Sequence, residues 1–151
     1  MRPLYLLGLA SLCASLNGPA VAQSGKLKEV ESPGAARHHD KTYRSDTIEV
    51  SLKAAGEPGH KIESMVRMKS GDLLVYSWEA PPGTEIWHEF HGHSTGTVTF
   101  YKKAAGPAHH GALTAPFDGV QGWYYENRTK APVTVRLKLS GYYEIVPKDA
   151  K

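Results

Sequence analysis

An all-β sandwich is the fold class this sequence predicts, and three observations predict it. Apolar residues alternate with polar ones in several short runs, as in a strand with one buried face. Gly and Pro clusters separate those runs. No stretch carries apolar residues at helical spacing. The expected architecture is a single-domain β-sandwich or jelly roll of about eight to nine short strands.

The N-terminus precedes that domain. Met1-Arg2-Pro3 is a short positive segment, and Leu4 to Leu16 is an apolar run broken only by small residues. Ala20-Val21-Ala22 is the small-x-small pattern of signal-peptidase cleavage, so residues 1–22 are predicted to be a signal peptide cut before Gln23. The apolar run, about 13 residues, falls short of the roughly 18–20 that span a bilayer. Export to a bacterial periplasm, or secretion, is therefore expected. Cys13 is the single cysteine and leaves with the signal. The mature chain would then have no disulfide, thiolate nucleophile or Cys-bound metal.

Residues 23–46 are polar and lack apolar periodicity, which predicts a flexible N-terminal arm. Residues 47–147 carry the β pattern, and 148–151 are a tail. In the first strand Ile48, Val50 and Leu52 alternate with Glu49, Ser51 and Lys53. After the turn residues 55–59, Ile62 to Met68 is the second, and Ser70-Gly71-Asp72 turns the chain into the third, Leu73 to Trp78. Pro81-Pro82-Gly83 breaks the pattern before Glu85 to Phe90. Val98 to Tyr101 and Ala112 to Ala115 are short candidates, whereas Gly122 to Glu126 is a strong one. Val133, Val135, Leu137 and Leu139 alternate cleanly, Gly141 marks a bulge or bend, and Tyr142 to Val146 closes the domain.

Met68-Lys69-Ser70-Gly71-Asp72, Val75 to Glu79, and Phe90-His91-Gly92 resemble a family of bacterial exported proteins labelled "transmembrane anchor protein". Ala115 to Gly119, Gly122 to Arg128, Pro132 to Val135 and Ser140 to Glu144 extend the resemblance over about residues 46–146. The C-terminal part is similar, more loosely, to GOLD-type β-sandwiches. The family resemblance implies fold and export, and no catalytic residue or cofactor comes with it.

Charge excludes some partners. The 18 basic residues, one of them in the signal, stand against 15 acidic ones. Such balance gives no electrostatic footprint for nucleic acid. The chemically richest run is Trp87-His88-Glu89-Phe90-His91-Gly92-His93, in a chain with eight histidines. On an extended backbone Glu89, His91 and His93 share one face, spaced to converge on one ion. Alternatively, a kink at Gly92 brings His88 round with His91 and His93. His109 and His110, flanked by Gly106-Pro107 and Gly111, would add a ligand from a neighbouring loop. Imidazole and carboxylate without sulfur suit Cu(II), Zn(II) or Ni(II). A solvent-exposed His-Gly-His turn capping strand ends would need no ion, and His38-His39 reads as a solvated pair.

Two further candidates compete with the metal. Trp87, Trp123, Tyr124 and Tyr125 would form an aromatic face that docks an envelope or membrane protein. Glu79, Glu85, Glu89, Asp118 and Glu126 are available for acid–base work, but no spacing selects a pair. No nucleophile elbow, phosphate loop or metalloprotease helix occurs. The sequence thus favours a non-catalytic binding protein with a histidine-based transition-metal site, against an interaction module.

Overall fold

The computed structural model describes residues 30–33 and 36–147. The expected signal peptide and most of the first half of the arm lie outside them. Every strand lies within residues 37–147. Among the described residues no helix is long and apolar enough to cross a membrane.

Nine strands run in chain order: β1 Arg44–Leu52, β2 Lys61–Met68, β3 Leu73–Glu79, β4 Ile86–Ser94, β5 Thr97–Gly106, β6 Ala108–Thr114, β7 Gly119–Asn127, β8 Val133–Gly141 and β9 Glu144–Ile145. They form two antiparallel sheets, ordered β1-β8-β3-β6 and β5-β4-β7-β2-β9. The chain crosses between sheets repeatedly, and the interleaved orders 1-8-3-6 and 5-4-7-2 are those of a jelly roll, with β9 added at one edge.

The alternation read from the sequence builds the core. Val50, Leu52, Val66, Met68, Leu74, Val135, Leu137 and Leu139 point between the sheets. Aromatic rings fill the centre: Phe90 stacks on Trp123 at 4.6 Å, and Tyr76 meets Trp123 at 4.8 Å. Burying such large rings is the main favourable term, each worth roughly 3–5 kcal/mol against alanine.

Several boundaries differ from expectation, for physical reasons. β1 begins at Arg44, because β8 offers partners as far as Gly141. The charges this draws into the edge strand are satisfied locally: Arg44 Nε donates to Asp46 at 2.7 Å, and the Tyr143 hydroxyl donates to the same carboxylate at 2.7 Å. Asp46 is accordingly held below the ordinary carboxylate range. The last part of the expected arm is also engaged. His39 stacks on Tyr142 with ring centroids 3.8 Å apart, and Lys41 Nζ lies 3.2 Å from the Asp72 carboxylate. β4 and β5 run on past the short segments that periodicity suggested, turning at Thr95-Gly96, where Gly96 has φ +71°. The predicted last strand shortens to Glu144–Ile145.

Candidate metal centre on the outer face of the five-stranded sheet

β4 carries the histidine run and lies between β5 and β7 in the five-stranded sheet. Its residues alternate strictly: Ile86, His88 and Phe90 face the core, while Trp87, Glu89, His91 and His93 face outward. The hairpin with β5 contains a bulge, since Phe90 pairs with Lys102 and His91 with Phe100. Tyr101 is the extra residue, and its hydroxyl donates to the Gln121 side-chain oxygen inside the sandwich.

His91 and His93 therefore stand side by side, with ring centroids 4.9 Å apart and planes at 73°. The carboxylate that joins them is Glu63 of β2, reaching across β7. One ligand atom from each of Glu63, His91 and His93 falls within 4.8 Å of the others. His91 Nε2 lies 3.5 Å from Glu63 Oε1. Two imidazoles bound to one tetrahedral zinc at about 2.0–2.1 Å would have centroids about 5 Å apart, so the rings already stand at the required separation.

The tautomer of His91 is fixed by its neighbours. Its Nδ1–H donates to the Glu89 carbonyl oxygen at 3.1 Å, so Nε2, 3.5 Å from Glu63 Oε1, is the nitrogen that faces the carboxylate. His91 is only 3% exposed although it lies on the outer face, because His93 and the Phe100 ring cover it. A cleft of about 510 Å³ opens beside His93, lined also by Lys41, Arg67, Lys69, Asp118 and Glu144. Two imidazoles and a carboxylate are donor types that transition ions accept.

The remaining sequence candidates go elsewhere. Glu89 shares the outer face, but its carboxylate is turned to Lys103 Nζ at 3.4 Å, so its contribution is the carbonyl that orients His91. Gly92 does not kink the strand to bring His88 round. A Cβ there would fall on the Gln121 side-chain oxygen and near the Tyr101 hydroxyl, so the glycine serves a close approach inside the sandwich. His88 stays on the inner face, 2% exposed. His109 and His110 are in strand β6 of the other sheet rather than in a loop. His109 turns inward towards His88, with centroids 5.4 Å apart, and its Nδ1 lies 3.2 Å from the Tyr76 hydroxyl. His110 is exposed.

The inner pair is electrostatically unlike the outer one. Burial holds His88 below the ordinary imidazole value, and His109 and Lys102 add to this by charge repulsion. His109 is lowered mainly by burial, then by Lys102 and His110. Neither ring nitrogen of His88 has a hydrogen-bond partner, and the buried Tyr125 hydroxyl is also unpartnered.

The aromatic face is largely lost to the core. Trp123 and Tyr125 are fully buried, Tyr125 packing edge-on to Trp78 at 5.4 Å, so neither can meet a partner. Trp87 is half-buried beneath the Arg128 guanidinium, 4.6 Å from its ring, and Tyr124 is half-buried beside it on the outer face. Glu63 was not legible from the sequence. Only the register, which sets Glu63 opposite Tyr124 and Tyr124 opposite Glu89, brings β2 to the histidines.

No protein-family model and no curated protein matches the chain. One solved structure, from work describing Bacillus endospore appendages as a novel family of disulfide-linked pili, is similar to it at 13% identity. The match covers 78% of this chain and 99% of that one, with a TM-score of 0.46, too distant to speak for function or assembly.

Proposed function

We propose that this is an exported, non-catalytic protein that binds a divalent transition metal on the outer face of its five-stranded sheet. Glu63, His91 and His93 are the ligands, and Cu(II), Zn(II) and Ni(II) are the ions such donors take. The observation that carries the reading is the convergence of three ligand atoms from two non-adjacent strands, within 4.8 Å of one another, one of them a desolvated imidazole nitrogen whose partner nitrogen is anchored to the backbone. Anchoring of that kind raises ligand basicity and fixes the ring.

Calorimetric titration of the untagged protein with each ion tests the reading. One ion per chain should bind the wild type, and a His91→Ala/His93→Ala variant should bind at least about 100-fold more weakly, a loss of about 2.7 kcal/mol. His109→Ala should leave binding unchanged. Equal affinity in the double variant and the wild type would overturn the proposal.

A further inference from the structure

Beside Glu63, His91 and His93, the sheet register places one further side chain with a donor atom. Along β2, Glu63 and Met65 point to the same outer face. Met65 is paired with Gly122 of β7, and Gly122 is paired on its other side with His91 of β4. Across the three strands the row therefore reads methionine, glycine, histidine. Gly122 presents no side chain, and the space above it is taken by the methionine: a Cβ at Gly122 would lie 2.8 Å from Met65 Sδ. The thioether thus folds over the glycine towards the strand that bears His91, and next to it on β2 stands Glu63, whose carboxylate is 3.5 Å from His91 Nε2. Carboxylate, thioether and two imidazoles surround one patch of the sheet.

We infer that Met65 is a fourth ligand and that the ion this site selects is copper, held in the Cu(I) as well as the Cu(II) state. The inference rests on the metal-binding reading above. The argument is one of donor softness. A thioether is a soft, neutral donor that adds little for Zn(II) or Ni(II) but suits Cu(I), whereas imidazole and carboxylate serve Cu(II). No cysteine occurs among the described residues, and Met68 is 1% exposed in the core, pointing to the other side of the sheet. Met65 is thus the soft donor that the outer face offers. It is half-buried, at a position where a leucine of similar volume would cover the glycine equally well if packing were its whole purpose.

That substitution is the test. Anaerobic competition of Cu(I) against a chromophoric chelator, and direct titration of Zn(II), would be run on the wild type, Met65→Leu and the His91→Ala/His93→Ala variant, with copper-edge X-ray absorption on the Cu(I) forms. Met65→Leu should weaken Cu(I) about tenfold or more, leave Zn(II) within about twofold, and remove a sulfur contribution present in the wild-type spectrum. Unchanged Cu(I) affinity in Met65→Leu and no sulfur scattering in the wild type would overturn the inference. If the double histidine variant still lost its metal in that case, the Glu63–His91–His93 site would stand without the thioether. Wild type that took up neither ion would end both.

Discussion

Two histidine pairs flank β4, His91 with His93 on its outer face and inner-facing His88 with His109 of β6, and they differ in surroundings far more than in spacing. His91 and His93 stand 4.9 Å apart on the outer face, and His88 and His109 stand 5.4 Å apart between the sheets. Either separation would suit two imidazoles on one ion. The outer pair has the Glu63 carboxylate beside it, 3.5 Å from His91 Nε2. The inner pair has aromatic walls, with Trp78 4.8 Å from His88, an orphaned tyrosine hydroxyl, and the Lys102 charge repelling any cation. The difference teaches that histidine proximity does not make a metal site. What sets the outer pair apart is the Glu63 carboxylate beside it and the backbone carbonyl that anchors the His91 ring.

The largest expected effect falls on the outer face. Gly122→Ala drives a Cβ into the Ser64 carbonyl oxygen, a backbone atom that can yield only by moving β2, and also towards the Met65 sulfur. We expect a loss of about 2–3 kcal/mol of unfolding free energy in urea, together with weaker metal binding because Glu63 rides on β2. A variant as stable as wild type would show that β2 and β7 are further apart than described.

Acid should act on the inner pair instead. His88 is held below its ordinary value of 6.5, so in the folded state it stays neutral where the unfolded chain takes up a proton. Stability is then fully present above pH 6.5 and lost as the pH falls from 6.5 towards the depressed folded value. The slope is about 1.4 kcal/mol per pH unit for one full proton of difference. Denaturation of metal-free protein across that range checks this, and the slope should flatten in His88→Phe. A slope unaltered by that substitution would assign the titration elsewhere.

The smallest effect is that of His88→Phe near neutral pH. It removes two ring nitrogens that have no partners, so its unfolding free energy should stay within about 1 kcal/mol of wild type or exceed it. Metal affinity should not change. A fall of several kcal/mol would mean that the interior polar cluster is satisfied and structural.

How much of this was legible in the sequence depends on whether the signal was local. The alternation of Val133, Val135, Leu137 and Leu139 announced β8, and the same period set Glu89, His91 and His93 on one face. His-Gly-His has the composition of a turn, yet it lies within β4 because Gly92 admits Gln121 and Tyr101 from the interior. Trp123 and Tyr125 gave a clear strand, but the sequence did not say that their face was the inner one. The choice of Glu63 over Glu89, and the placing of Met65 over Gly122, come from strand order and register. Those are non-local facts that no spacing within β4 encodes.

The most direct measurement is anomalous diffraction from crystals of the untagged protein grown with copper, recorded at the copper edge. One strong peak bounded by Glu63, His91 and His93 is expected. A peak between His88 and His109, or only scattered weak peaks at exposed residues such as His38 and His110, would contradict it.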